Sequence, residues 1–185
     1  MNRLVRRQGY AGTGLNQLMA EADAPKGSMY FHFPGGKEEL AAAAIDDFSD
    51  WLSTHMARHL AEASTVSEAV AGFFDADLTY LERTEFREGC PVATVALEAA
   101  ATHEALAAAV QRAFGGWVGQ LAEALEAEDY PADQAHGLAT VVIATIEGAI
   151  VMSKGQRSTE PLAVARDTIC NLLDRAERKA LAPTE

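Results

Sequence analysis

The hydrophobic residues of this chain recur with the spacing of α-helices along nearly its whole length. The first clear stripe falls at positions i, i+3, i+4 and i+7: Leu15, Leu18, Met19 and Ala22. Longer stripes of the same kind follow, and we find no run of alternating apolar residues typical of half-buried strands. The pattern predicts an all-α protein with a three-helix head at residues 1–45 and a larger helical body at 46–185.

Two short helices of the head are joined by a sharp turn. Asp23-Ala24-Pro25 ends the first, because proline cannot continue a helix but fits the first position of the next. Residues 26–33 form the second, with Met29 and Phe33 facing inward. The Thr13 hydroxyl is expected to cap the first of the two helices. This arrangement is a helix-turn-helix, whose second helix is suited to the DNA major groove.

The outward side of that second helix carries groups that suit phosphates and base edges. They are Lys26, Ser28, Tyr30 and His32, with Gly27 allowing the backbone to come close to a duplex. Lys37 follows two glycines at the start of the next helix, where a helix N-terminus favours phosphate. We predict DNA contacts from all of these residues and from Thr13. Tyr30 and Lys26 are expected to contact bases or methyl groups, whereas Ser28, His32 and Lys37 contact phosphates.

The body has further helix signals. A long helix runs from Lys37 to about Glu62, and Thr65 with Glu68 fits a capping box for the next helix. Gly89-Cys90-Pro91 opens a short helix, and a longer helix with a regular apolar stripe follows it. Pro131 and Pro161 start the last two helices.

The penultimate helix is apolar almost all round between Leu138 and Met152, so it must be covered on every side. We predict that it forms a four-helix dimer interface with the last helix, although an internal helix of a monomer is the alternative. Small residues (Ala144, Gly148, Ala149) would permit close approach. The predicted interface residues are Val142, Ile146, Ala149, Ile150, Ile169, Leu172 and Leu173. Glu147 breaks the apolar run, which is too short to span a bilayer.

A net charge of −12 is unusual for a DNA-binding protein, but the charge is unevenly distributed. Five basic and two acidic residues give residues 1–37 a net charge of +3, which leaves −15 for the remainder. Because salt screens charges beyond about 8–10 Å, DNA affinity depends on the local basic surface. Arg3, Arg6 and Arg7 either approach phosphate or are simply solvated. Two cysteines and the lack of a signal-type segment indicate a cytoplasmic protein.

Aromatic and histidine side chains of the body are candidates for a ligand pocket, although any helical core uses such residues. The predicted pocket residues are Phe48, Trp51, His55, Phe73, Phe74, Phe114 and Trp117, with Tyr80 as a further aromatic candidate. His55 and His59 have a spacing that can share zinc, but a solvated or core-edge pair is the preferred interpretation. Cys90 at a helix N-terminus would have a lowered thiol pKa and act as a redox sensor, or would simply pack, which we prefer.

The segment GYAGTGLNQLMAEADAPKGSMYFHFPGGKEEL, residues 9–40, resembles the DNA-binding signature of the TetR family of transcriptional regulators. GCPVA, residues 89–93, is similar to the LmrA/YxaF-like branch of that family. The chain departs from the family pattern in a first helix of only two turns, in Asp23 where glycine is common, and in Pro25 where a Ser or Thr cap is common. The short first helix leaves two readings: a true start that lies upstream, or an under-supported head.

The resemblance implies a homodimeric repressor that a small hydrophobic effector releases from double-stranded operator DNA. We expect no catalytic residues, metal, cofactor or membrane partner. Two alternatives remain. One is a small-molecule-binding helical dimer with impaired DNA binding. The other is a helical-bundle metal protein, although the paired Glu-x-x-His motifs of di-metal bundles are missing from the sequence.

Overall fold

The computed structural model describes residues 1–176, which form nine α-helices and no strand. The all-α prediction is therefore confirmed. The helices are α1 (Asn2–Gln8), α2 (Leu15–Glu21), α3 (Lys26–His32), α4 (Gly36–Glu62), α5 (Val66–Arg83), α6 (Pro91–Glu98), α7 (Glu104–Ala127), α8 (Ala132–Gln156) and α9 (Glu160–Arg175). Of the predicted body, residues 177–185 lie outside the described residues.

Helices α1–α3 form the head around a small apolar core. Its buried members come from all three helices: Leu4, Leu18, Met19 and Met29. Gly9 ends α1 at φ 80° and ψ 172°, a conformation that is open essentially to glycine alone. Asp23, in the turn before α3, has φ 48° and adopts the left-handed conformation that aspartate tolerates.

The predicted Thr13 cap is wrong. Gly14 is the N-cap residue of α2, and no side chain caps that helix. Thr13 is fully buried, and its hydroxyl donates to the Gly9 carbonyl at 2.6 Å. The hydroxyl therefore fixes the turn between α1 and α2, and the prediction that Thr13 contacts DNA is wrong for the same reason.

Helix α4 belongs to both parts of the molecule, because it begins beside α3 and packs along α5 and α7 in the body. The predicted capping box at the next helix is present. Thr65 Oγ1 accepts from the Glu68 amide at 3.2 Å, while the Glu68 carboxylate accepts from the Ser64 amide at 2.8 Å. The chain thus turns sharply between α4 and α5, which places both helices against one core.

Helices α8 and α9 pack side by side with one face inward. Six of the seven predicted interface residues are buried inside the subunit, and only Leu172, 44% exposed, lies on the outer surface. The predicted interface is wrong for Val142, Ile146, Ala149, Ile150, Ile169 and Leu173. An all-round apolar helix gives no sequence signal for which side faces its own core.

The outer face of α8 and α9 is nevertheless strongly apolar. Its exposed members are Val141, Ala144, Gly148, Val151 and Met152 on α8, and Val164 and Leu172 on α9. We call these seven residues the outer face. Contrary to the sequence-based expectation, α8 is long and apolar enough to cross a membrane. Core helices share that length and composition, and one side of α8 is buried against α7 and α9.

Candidate nucleic-acid interface and candidate ligand pocket

Helix α3 presents most of its predicted contact residues to solvent. Lys26, Gly27 and His32 are exposed, Tyr30 is 51% exposed, and Ser28 is half-buried. A Cβ added at Gly27 would meet nothing within 4 Å, so the backbone there is open to approach. Met29 is buried and anchors the helix from the opposite side.

Sequence reasoning missed Phe31, which is 81% exposed on the same helix. Its ring lies edge-on to His32, with centroids 5.1 Å apart. The sequence did contain a signal for its exposure. Phe31 follows the outward Tyr30 and lies outside the inward stripe formed by Met29 and Phe33. An exposed phenylalanine on this surface suits contact with thymine methyl groups or sugars.

Lys37 has a structural role in the head. Its ammonium donates to the Tyr10 carbonyl at 2.6 Å and lies 4.1 Å from the centroid of the Tyr10 ring. Burial lowers the pKa of Lys37 from its ordinary value, while Glu98 acts in the opposite direction. An ammonium has three donors, so the predicted phosphate contact remains a prediction.

The three arginines of α1 point in different directions. Arg3 is exposed, and Arg7 is 41% exposed and lies 3.9 Å from Glu88. Arg6 instead enters the body. From the sequence, this arginine was expected either to approach phosphate or to be solvated. Its guanidinium carbon lies 4.5 Å from the Phe48 ring centroid, and one of its terminal nitrogens donates to the Tyr80 hydroxyl at 2.6 Å.

A cavity of about 260 Å³ lies among α4, α5 and α8. The predicted pocket residues that line it are Phe48, Trp51, His55, Phe73 and Trp117, together with Tyr80. The prediction is wrong for two others. Phe74 is fully buried in the helical core next to its neighbour Phe73, and Phe114 packs edge-on against Trp117 without reaching the cavity.

Aromatic rings form one wall of this cavity. Phe48 and Trp51 are stacked with centroids 5.6 Å apart, and the His55 ring lies 4.0 Å from that of Trp51. His55 Nδ1 lies 2.8 Å from the Trp51 carbonyl oxygen, and His59 lies edge-on to Phe73. Within residues 1–176, no three His, Cys, Asp or Glu side chains are grouped so as to bind a metal ion. The rings of His55 and His59 contribute to the lining of the cavity.

Four charged side chains that line the cavity were not predicted: Arg6, Asp77, Arg83 and Glu147. Burial is the main cause that raises the pKa of Asp77 to about 7, and the Glu147 carboxyl adds to it while Arg6 opposes it. Burial likewise raises the pKa of Glu147 to about 7. In the part of the chain that the structure describes, Glu147 Oε2 and Arg6 Nε are buried without a hydrogen-bond partner. Glu147 had one signal, as the single charged residue between Leu138 and Met152.

The lowered pKa expected for a redox-sensing Cys90 is wrong. Cys90 lines the cavity beside Glu147, and burial, with that carboxyl, raises the pKa of the thiol well above its ordinary value. A thiol in this environment is protonated and a poor nucleophile.

We expect a Glu147→Gln variant to be more stable than the wild type at pH 8 and equally stable near pH 4. Since the pKa of Glu147 is raised to about 7, the folded state holds a proton here that the unfolded chain releases near pH 4.5. Its favourable contribution is complete below that pH and is lost as the pH rises through 7. The gain at pH 8 is up to about 3 kcal/mol.

Urea unfolding of wild type and variant at equal protein concentration measures this difference. Glu123→Gln, which changes an exposed carboxylate on α7, is the control and should have no effect at either pH. The same stability change for Glu147→Gln at both pH values would contradict the buried-carboxyl interpretation.

Two contacts join the cavity to the head. Helix α6 follows Cys90 at the cavity and ends at Glu98, whose carboxylate accepts from the Ala11 amide at 3.0 Å. Lys154 of α8 donates to the backbone carbonyl of Arg6 at 3.3 Å, and the side chain of Arg6 lines the cavity. A change in the cavity therefore has a short physical route to the turn between α1 and α2.

Comparisons with known proteins agree with this geometry. Residues 2–44 match the model for bacterial regulatory proteins of the tetR family, and residues 66–168 match that for the LmrA/YxaF-like transcriptional regulator C-terminal domain. The HTH-type transcriptional regulator LmrA of Bacillus subtilis (strain 168) is 36% identical over 173 residues, which are 94% of this chain and 92% of LmrA.

Two further similarities concern repression and DNA. The HTH-type transcriptional repressor NemR of Escherichia coli (strain K12) is 26% identical over an alignment that covers 92% of this chain and 88% of NemR. A cysteine mutant of the TetR family transcriptional regulator CifR, solved with 26-bp double-strand operator DNA, superposes with a TM-score of 0.77 at 24% identity. That comparison covers 91% of this chain and 90% of CifR and shows a shared fold.

Proposed function

This chain belongs to the TetR family of bacterial transcriptional regulators, and we propose that it acts as a homodimer which a small molecule in the cavity releases from operator DNA. Its DNA-binding repressor function follows from the family and the relatives. The strongest support for release by a ligand is Arg6, which belongs to the head but lies in the cavity. Because the partner is DNA, we place the protein in the cytoplasm.

On DNA, α3 would lie in the major groove, with Tyr30 and Lys26 at bases and Ser28, His32 and Lys37 at phosphates. The exposure of Tyr30, Lys26 and His32 and the open backbone at Gly27 support this placement. Two subunits would read half-sites about one helical turn, roughly 34–36 Å, apart. The acidic body, which carries most of the chain's negative charge, would remain away from the duplex.

The outer face of α8 and α9 supports dimer formation. Its exposed side chains, Val141, Val151, Met152, Val164 and Leu172, form an apolar surface beside the small residues Ala144 and Gly148. Two copies of this pair of helices would bury that surface in a four-helix interface and allow the helices to approach closely.

Release requires that the effector bind more tightly to a conformation whose heads no longer match the operator. A molecule in the cavity would compete with Arg6 for space above Phe48 and would press on the start of α6. Displacement of Arg6 would move α1, which leads into the α1–α2 turn. Movement of α6 would act on the same turn through the hydrogen bond between Glu98 and Ala11. The head spacing of the dimer would change as a result.

A tryptophan reporter tests release through the cavity. In a Trp51→Phe variant, Trp117 is the one remaining tryptophan, and it lines the cavity. Aromatic compounds are screened for release of DNA from upstream of the protein's own gene. We expect each active compound to change Trp117 fluorescence at the same half-saturation concentration. Release without any change in fluorescence would contradict an effector site in this cavity.

A Lys37→Ala variant is expected to bind all DNA sequences more weakly and to have a salt slope reduced by about one unit. The reason is that one phosphate contact is lost and one fewer counterion is released. Arg58→Ala, at an exposed position near the far end of α4, is the matched control. Fluorescence anisotropy across a salt series measures both slopes. An unchanged slope for Lys37→Ala would restrict Lys37 to its bond with Tyr10.

A further inference from the structure

The cavity holds an imbalance of buried charge. Asp77 and Glu147 supply two carboxyl groups, whereas Arg6 supplies one guanidinium. A second lining arginine, Arg83, is exposed at the rim, where water screens its charge. Because burial raises the pKa of both carboxyl groups to about 7, both are ionised only above neutral pH, and the interior then lacks one positive charge.

Arg6 does not satisfy either carboxyl. One of its terminal nitrogens donates to the Tyr80 hydroxyl, which in turn hydrogen-bonds the Glu88 carboxylate. No salt bridge of Arg6 within 4.0 Å is found in residues 1–176. The Cys90 thiol hydrogen-bonds the Glu147 carboxyl, but Glu147 Oε2 itself is buried with no partner, which is unfavourable for a carboxyl oxygen.

The aromatic wall is suited to a positive group. The Arg6 guanidinium already lies over the Phe48 ring at 4.5 Å, so this surface accepts a cation in the folded protein. Trp51, stacked on Phe48 and half exposed, extends the same surface toward solvent. A flat ring can stack there while its charged end reaches inward.

We propose that the effector is an organic monocation with an aromatic body, whose positive group binds the Asp77 and Glu147 carboxyl groups while its ring stacks on Trp51. This assignment rests on the proposed function, because it concerns the same cavity and names the class of molecule that fills it. A volume of about 260 Å³ is just below that of drug-sized pockets, which are roughly 300–1,000 Å³, so a small molecule of one or two rings fits.

Other ligand classes match the cavity less well. An anion would add to the negative charge already present at Asp77 and Glu147. A purely apolar compound would leave Glu147 Oε2 without a partner. A neutral donor would satisfy the oxygen but not the missing charge. A cation supplies both the donor and the charge, and it competes with Arg6 for the space above the Phe48 ring.

Three nearly isosteric compounds separate these classes: 2-(1-naphthyl)ethylamine, 2-(1-naphthyl)ethanol and 1-naphthylacetate. Calorimetric titration of the purified full-length protein at pH 7.5 measures their affinities. We expect the amine to bind at least about tenfold more tightly than the alcohol, and the carboxylate to bind most weakly. The amine should also release operator DNA at the lowest concentration.

Glu147→Gln keeps the shape of the side chain and removes its charge. In this variant the amine is expected to bind no more tightly than the alcohol, whereas the surface control Glu123→Gln keeps the full preference. Asp77→Asn is the second variant and should reduce the same preference. Circular dichroism and sedimentation confirm that each variant is folded and assembled as the wild type is.

The outcomes separate this inference from the proposed function. If the alcohol or the carboxylate binds as tightly as the amine and releases operator DNA, the proposal of a cationic effector is wrong. The proposal that the effector binds in this cavity is then retained. A preference for the amine that survives both Glu147→Gln and Asp77→Asn also overturns the inference. If no member of the series binds the wild type at millimolar concentration, the inference is overturned, and the Trp117 fluorescence experiment decides separately whether the cavity is the effector site.

Discussion

A Gly148→Arg variant is expected to be monomeric and to bind operator DNA at least about 100-fold more weakly than the wild type. Gly148 lies on the outer face of α8, where an added Cβ would meet nothing within 4 Å in its own subunit. A single subunit therefore accommodates the arginine. The proposed dimer does not, because two copies of this surface would face each other and bury an unpaired charge.

The expected loss of DNA affinity is large because a dimer holds its second head at a high effective concentration near the second half-site. Linking two binding modules raises affinity by roughly 10²–10⁴-fold without any new contact, and a monomer loses that gain. Sedimentation and operator titration measure the two effects on the same sample.

Gly115→Arg is the matched control for this substitution. Gly115 is also an exposed helical glycine with nothing within 4 Å of an added Cβ, but it lies on α7, which contributes no residue to the outer face. This variant should remain dimeric and bind DNA normally. A dimeric Gly148→Arg protein with unchanged affinity would show that the outer face is not the interface.

Tyr30→Ala is expected to weaken operator binding by roughly 5- to 150-fold while leaving affinity for random DNA nearly unchanged. A side chain that reads a base edge or methyl group contributes about 1–3 kcal/mol of discrimination. The Tyr30 side chain is half exposed on α3 and makes no hydrogen bond within the part of the chain described, so its removal leaves the head core intact. Competition between labelled operator and random duplex measures the change.

Tyr30→Phe separates the contributions of the ring and the hydroxyl. If the ring packs on a methyl group, this variant keeps most of the preference. If the hydroxyl contacts a base, Tyr30→Phe loses as much of the operator preference as Tyr30→Ala does. Equal loss on operator and random DNA for Tyr30→Ala would remove Tyr30 from the base-reading residues.

The helices were predictable because their signals are local. Apolar spacing and the positions of Pro25, Pro131 and Pro161 indicated starts and ends that agree with the structure within a few residues. Thr65 and Glu68 lie only three residues apart, and their capping interaction was equally visible in the sequence. The prediction for Thr13 was wrong because its hydroxyl had two possible partners. It donates to the nearby Gly9 carbonyl and does not cap α2.

The side of α8 that faces the core was not predictable, because its apolar residues surround the whole helix. The charges of the cavity were hidden for a different reason. Arg6, Asp77 and Glu147 lie about 70 residues apart in sequence and meet only when α1, α5 and α8 pack together. Aromatic residues could be proposed as lining from their type, but Phe73 and its neighbour Phe74 face different directions on one helix.

Selection from a random library of DNA duplexes tests the DNA-reading head most directly. Purified full-length protein is incubated with the library at low salt, and bound duplexes are sequenced through successive rounds. We predict enrichment of one palindromic site whose half-sites are centred about 10–10.5 base pairs, or a multiple of that spacing, apart. A bound pool with the same sequence composition as the starting library would contradict the assignment of α3 as the helix that reads DNA.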